Sequence, residues 1–473
     1  MLVHVWMIMF LLSYLTTTFV IEAMAAANAI VHRHAVQHFK KAIKEEEMGP
    51  INYQSELVED LLTDEVISNA IDRDEQLPLL LNTVDSVDYY SITERIELLP
   101  MTLVAHFHHL LEDIIYAVGV NLFYLCIVVY LYGDLTIYAA AIAKSLRDVT
   151  CNYVVEGPNC TSIYNSTDPC WTTASSISRH GAYMIYLALF LCLLGPFTFF
   201  NVQKTKYLQM LTTVMRWLAF TIMIVLTSIA LAKGKGRGTP PVADIKGVPN
   251  LFGVCVYSFM CHHSLPSLIT PIRNKDRLFS LLFADYLLIL CFYSLLSFTG
   301  IFTFENLQDV YTLNFEPQKC GDSDTVVSSV PFLQYFLALF PVFTLSTNFP
   351  IIAITLRNNL KSLFLKDSKK YSIFLERILF PVITVIPPVA IAFATESLEI
   401  LVGITGSYAG AVIQYVVPAL LVYYARKDSL TSIGLGVKKQ HSSPFHHIGW
   451  IVFVCAWALA CVIFVTVDHV TSL

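Results

Sequence analysis

The stretch GVCVYSFMCHHSLPSLITPI, Gly253–Ile272, is apolar enough to cross a bilayer, yet it holds a histidine pair, several hydroxyls and two prolines. Pro266 lacks a backbone donor and clashes with the preceding turn, so a kink or break is predicted near residues 261–266. In lipid, freed backbone groups are tolerated only where they face protein or a water-lined cavity. Membrane proteins that move solutes use such broken helices at mid-membrane, where half-helix ends and bare carbonyls bind solute and ions. A proline kink with packed histidines is the competing reading. The CHHS run beside the proline favours a lined cavity.

The rest of the chain has the composition this reading needs. Its 473 residues are 55% hydrophobic and only 14% charged, against about a quarter charged in soluble domains. The mean hydropathy is +0.60. Apolar runs of about 20 residues match a hydrocarbon core of ~30 Å. Ten spans are predicted, near 2–28, 116–142, 182–202, 207–232, 249–270, 279–304, 331–356, 374–395, 398–424 and 447–468. The first has no basic segment ahead of it and is read as a span, not a signal peptide. The net charge of −6 comes largely from one loop, and no basic stripe with interleaved aromatics points to nucleic acid. The predicted fold class is an all-α polytopic membrane protein.

Two features orient it. Loop 144–180 carries glycosylation sequons at Asn159 and Asn165, useful only on a lumenal or outer surface. Counting from there, loops 31–115, 203–206, 271–278, 357–373 and 425–446 are cytosolic. With Arg216 and Arg377 read as adjacent helix ends, these hold 22 of the 30 Lys and Arg, as the positive-inside rule expects. Loop 233–248 is basic and falls on the wrong side. Cys151, Cys160, Cys170 and Cys320 lie in outward loops, where disulfides are permitted. Their three possible pairings stay open.

Loop 31–115 is acidic and is expected to be mostly disordered from Glu45 to Glu97. Its EQLPLL, with Glu75 four residues before Leu79-Leu80, has the spacing of an adaptor-binding dileucine sorting signal. ERIELL (Glu94–Leu99) is a weaker match. Acidic, leucine-rich loops also produce this pattern by chance.

Polar groups inside other spans add to the picture. Asp134, in LYGDLTIYAA, costs ~2.5–3.5 kcal/mol at a helix centre on insertion scales and needs a partner or water. FTLSTNFP groups Thr344, Ser346 and Thr347 before Pro350. Hydroxyls and carbonyls at a helix irregularity suit Na⁺; equally, they serve as interhelical glue. GITGSYAG, Gly403–Gly410, suits close helix packing.

NLFGVCVYSFMCHHSLPSLITPI, LYGDLTIYAAAIA and LVGITGSYAGAVIQYVVPALLVYY resemble the sixth, third and tenth helices of the amino acid/auxin permease family. The likeness runs from about Ser13 to the last span, except in the acidic loop. It implies a LeuT-like fold of two inverted five-helix repeats plus an eleventh helix. It implies proton- or sodium-coupled transport of amino acids or similar small solutes. Solute would sit at Tyr257, Ser258, Phe259, Cys261 and His262. Asp134, Thr344, Ser346 and Thr347 would serve the coupling ion, H⁺ or Na⁺, with no other cofactor. The family's first helix, broken by a Gly-rich stretch, has no match here: Leu2–Asn28 resembles its second helix, so ten spans stand where eleven are expected. The chain then divides into a first span at 1–30, the loop at 31–115, the rest of the first repeat at 116–232, the second repeat at 249–424 and a last helix at 447–468. The expected partners are an amino acid, lipid and a clathrin adaptor, in an endolysosomal or plasma membrane.

Two readings from other classes compete. A transporter-fold sensor or scaffold would signal through the acidic loop without moving solute. A membrane metalloenzyme would use His34-x-x-x-His38, His106-x-His108-His109 and His446-His447. An i, i+4 pair does place two imidazoles on one helix face, but the HxxHH box of membrane di-iron enzymes is missed by one residue and ten spans are too many.

Overall fold

The computed structural model describes residues 2–46, 109–153, 165–171, 177–200, 206–241, 247–270, 272, 275–317, 330–365, 372–432 and 441–472. Its elements are helices: α1 (Leu2–Glu46), α2 (His109–Thr150), α3 (Arg179–Leu194), α4 (Lys206–Ala232), α5 (Val248–Phe259), α6 (Leu265–Ile269), α7 (Leu278–Thr303), α8 (Pro331–Phe364), α9 (Phe380–Ala394), α10 (Leu398–Thr405), α11 (Val417–Ser432) and α12 (Ile448–Ser472). Two π turns, Gly406–Gly410 and Val412–Val416, carry α10 into α11. Among the described residues, nine helical stretches are long and apolar enough to cross a membrane, and α5 is a shorter apolar tenth. The protein is an all-α polytopic membrane protein.

Several boundaries differ from the expected ones, each for a local reason. α1 continues 18 residues past Asn28 because Leu2–Glu46 contains no Gly or Pro and its tail is rich in helix formers. Helix therefore replaces the first part of the loop expected from residue 31. α8 runs unbroken through Pro341 and Pro350, so the irregularity expected beside Thr344–Thr347 is not a break. Each proline removes one donor, and packing along α2 keeps the flanking turns in place. Arg216 is not at a helix end: it lies ten residues into α4.

The prediction that matters most for the site concerns Pro266. α5 stops at Phe259, Met260 is extended (φ −82°, ψ 112°), and α6 opens at Leu265 with Pro266 in its first turn. The proline starts the second half-helix, where a missing N–H costs nothing. The result is an interruption between two half-helices, with no bend inside a continuous one.

Packing sets this interruption at the seam of two cores. α2 is the hub of one core, packed against α3, α8, α9 and α10. The other is built from α1, α5, α7, α11 and α12. Met260 and Tyr257 pack into the first, Phe259 and Cys261 into the second. The glycines expected to pack do so: a Cβ on Gly253 would meet the Gly403 carbonyl, and one on Gly406 would meet the Gly253 carbonyl. Backbone-to-backbone approach of this kind ties α5 to α10.

Candidate functional site

Where α5 stops, its last carbonyls lose their helical partners, and side chains from three helices gather there. Tyr286 of α7 is the hub. Its hydroxyl lies 2.8 Å from Thr17 Oγ1, 3.1 Å from Cys261 Sγ, and donates to the Phe259 carbonyl at 3.4 Å. The Phe259 ring stacks on Tyr286 with centroids 6.5 Å apart. His262, only 1% exposed, turns Nε2 toward Thr16 Oγ1 at 2.9 Å and Thr17 Oγ1 at 3.3 Å. Its Nδ1 is buried with no partner among the described residues, and so is Nδ1 of His263. The His263 ring sits 5.4 Å from that of Tyr130 on α2.

Asp134 enters from α2. It is buried, and the Tyr257 hydroxyl donates to its Oδ1. A carboxyl in a membrane span needs such a donor, and this bond crosses from α2 to the end of α5. Asp134 and Tyr257, picked out separately in the sequence, are thus brought together. Ser258 bonds the Val254 carbonyl of its own helix at 2.8 Å.

The α8 hydroxyls are not brought to this cluster by any bond. Thr344 donates to the Phe340 carbonyl at 3.0 Å, and Thr347 to that of Thr344 at 2.9 Å. Ser346 is half-buried on the same helix. Both bonded threonines satisfy their hydroxyls within α8, the usual habit of Thr in a helix.

The far end of α2 has a different character. Cys151 and Cys170 form a disulfide, which resolves one of the open pairings; Cys160 and Cys320 lie outside the described residues, as do Asn159, Glu75, Leu79, Leu80, His106 and His108. Asn165 is exposed on the segment the disulfide closes. Beneath it, Arg147 Nε donates to Asp148 at 2.7 Å, Arg147 Nη1 to Glu396 at 2.6 Å and Arg179 Nη2 to Asp148 at 2.8 Å. His180 Nδ1 lies 2.5 Å from the other Glu396 oxygen. Tyr183 donates to the Ala392 carbonyl at 2.8 Å. This network ties α2 and α3 to the junction of α9 and α10.

Sequence reading missed Thr16, Thr17, Tyr130, Tyr286 and the Arg147–Asp148–Arg179–Glu396 group. The TTT run at 16–18 inside a span was a usable signal. Tyr286 was not legible, because a tyrosine in a span is more often packing. Among the described residues, no three His, Cys, Asp or Glu side chains converge to hold a metal.

A multi-span helical bundle with one interrupted helix, a buried carboxyl and histidines at the interruption has the form of a membrane transporter. Residues 87–466 match the model of the transmembrane amino acid transporter protein family, and the chain belongs to that family. Within it the chain is similar to Transmembrane protein 104: to the Homo sapiens protein at 51% identity (98% of this chain, 88% of the relative), and to homologues from Drosophila melanogaster at 43% (97% and 89%) and Dictyostelium discoideum at 34% (96% and 88%). No solved structure matches the chain.

Proposed function

We propose that the protein is a secondary active transporter of amino acids or similar small solutes, coupled to protons or sodium, with solute held where α5 gives way to α6. The observation that carries this reading is the interruption at Phe259–Leu265, buried beside Asp134 and His262. Bare carbonyls and unpartnered imidazole nitrogens inside a bilayer are costly unless a ligand or water meets them. Tyr257, Ser258, Phe259, Cys261 and His262 bind solute. Asp134 carries the coupling proton and holds Tyr257 when ionised; sodium coupling would use Thr344, Ser346 and Thr347 instead. The segment bearing Asn159 and Asn165 is glycosylated on the lumenal or outer face. Leu79 and Leu80 engage a clathrin adaptor that directs the protein to endolysosomal membranes; without it the protein resides at the plasma membrane.

The test is uptake of labelled amino acids by proteoliposomes holding the full chain, under an imposed pH gradient, a sodium gradient or neither. Accumulation driven by one gradient, and lost in Asp134→Asn for the proton case, is expected. Absence of flux under every gradient, with intact folding, overturns transport and leaves the sensor or scaffold role.

A further inference from the structure

We propose that the segment following α4, KGKGRG at residues 233–238, is a binding surface for anionic lipid headgroups on the face of the protein that bears the disulfide. This is the basic loop that falls on the wrong side for the positive-inside rule, and it lies apart from the solute pathway.

One ion pair fixes the side. Lys144, seven residues before Cys151 on α2, binds Asp309 at 2.7 Å, and Asp309 lies six residues past the end of α7. α7 therefore ends beside the disulfide end of α2. The 233–238 segment rests on that same end of α7: the Arg237 N–H donates to the Thr303 carbonyl at 3.3 Å and the Gly238 N–H to the Phe302 carbonyl at 3.1 Å. Disulfides form away from the reducing cytosol, which is where basic loops are disfavoured. Topology does not account for three cations in five residues there.

The segment is held in place by its backbone. Gly234 has φ 69°, and its N–H and that of Lys235 donate to the Leu231 and Ala230 carbonyls, both at 3.0 Å. This pair of bonds around a left-handed glycine closes α4. A Cβ on Gly236 would meet the Phe302 carbonyl, and one on Gly238 the Ile301 carbonyl. Glycine thus brings the backbone onto α7, while Lys233, Lys235 and Arg237 between the glycines stay exposed.

Placement and charge together select the partner. α4 and α7 are apolar enough to span as Tyr207–Ala232 and Leu278–Thr303, and the segment joins the last residues of both. It therefore sits where hydrocarbon gives way to headgroups. Ile229, Phe298 and Phe302, close to those two ends, are exposed, so acyl chains lying on them bring a headgroup to the cations. Among the described residues, no hydrogen bond or ion pair engages the side chains of Lys233, Lys235 or Arg237. The acidic groups just past α7 do not neutralise them: Asp309 is held by Lys144, and Glu305 makes no ion pair. Lysine meets a phosphate as a point charge, and the arginine fork meets it with two parallel bonds. The segment offers both.

The test is thermal stabilisation of the purified full chain in detergent by phosphatidylglycerol, by phosphatidylcholine with the same acyl chains, by glycerol phosphate without acyl chains and by a poly-glutamate peptide. Wild type should be stabilised by phosphatidylglycerol and not by the other three, and the effect should fall as salt rises. The triple variant Lys233→Gln, Lys235→Gln, Arg237→Gln should raise the half-saturating concentration of phosphatidylglycerol by about fivefold per charge removed, on the order of 100-fold in all. The pair Lys275→Gln, Arg277→Gln, at the opposite end of α7, should change it less. Equal stabilisation by both lipids, or an unchanged response in the triple variant, overturns the proposal. Stabilisation by glycerol phosphate to the same extent makes this a small-anion site, and preference for poly-glutamate makes it a protein-docking site; either result overturns the lipid assignment. If the triple variant fails to fold, the three single changes, each expected to give about a fivefold effect, decide it.

Discussion

Two stretches of α2 treat buried polar groups in opposite ways. At the disulfide end, Arg147, Asp148 and Arg179 are all under 10% exposed, and each charge meets an opposite one. Toward its middle, Asp134 has one phenolic donor, and the neighbouring His262 and His263 each leave a ring nitrogen unmet. Buried charges survive only when paired, so the first region is an anchor whose energy is spent within the protein. The second withholds part of its bonding capacity. What the difference teaches is where a ligand has most to add: at the interruption, where two buried imidazoles each keep a nitrogen without a partner, rather than at the network, where every charge meets an opposite one.

This contrast can be broken, and the largest effect should come from Asp148→Asn. That change leaves Arg147 and Arg179 buried beside a neutral amide, and removal of one partner from a buried ion network costs about 3–5 kcal/mol. Thermal unfolding in detergent should show a large fall in Tm. A wild-type Tm would mean that the network is not an anchor.

Removing the disulfide by Cys151→Ser should cost slightly less. It releases a segment of 19 residues, for which the chain-entropy model gives about 3 kcal/mol. A Tm insensitive to reductant would place the rigidity of this end in the ion network alone.

Gly253→Val sharpens the other side of the comparison. The new side chain meets the Gly403 backbone, and overpacking of this kind costs about 1–3 kcal/mol. Because it pushes α5 from α10 by pressing on the Gly403 carbonyl and the Ser407 hydroxyl, and leaves the polar side chains of the interruption unaltered, it should also weaken solute uptake. Full uptake with a lowered Tm would show that the half-helix can shift without harm to the site.

The smallest effect on stability is expected from His262→Leu. An apolar side chain of similar bulk removes a buried nitrogen that has no partner, and Thr16 keeps its bonds to the Leu12 and Ser13 carbonyls. Stability should change by no more than about 1 kcal/mol, while uptake is lost. A destabilisation as large as that of Asp148→Asn would make the interruption as structural as the anchor, and the distinction would disappear.

Much of this architecture was legible beforehand for simple reasons. A span is a local property: about 20 apolar residues suffice, so ten spans could be counted. Pro266 announced a defect because the missing donor belongs to proline itself. Asp134 stood out because a carboxyl in a span is expensive anywhere. Less was legible in α8 and α4. Pro350 looked like a second irregularity, yet α8 stays helical where it packs along α2. Arg216 looked like a helix end, since a lone arginine flanking an apolar run usually is one.

The sequence by itself determined that the chain is a helical membrane protein, roughly where its spans run, which helix is interrupted and that Asp134 and His262 lie within spans. All of these follow from the chemistry of one segment and its solvent. Only the tertiary structure decided which of those residues meet: Asp134 with Tyr257, His262 with Thr16 and Thr17, Arg147 with Glu396, Cys151 with Cys170. Partners separated by up to 249 positions are chosen by helix rotation and register, which depend on side-chain packing between helices. Local hydrophobicity carries no record of that packing, so the sequence marked the polar groups and the fold selected their partners.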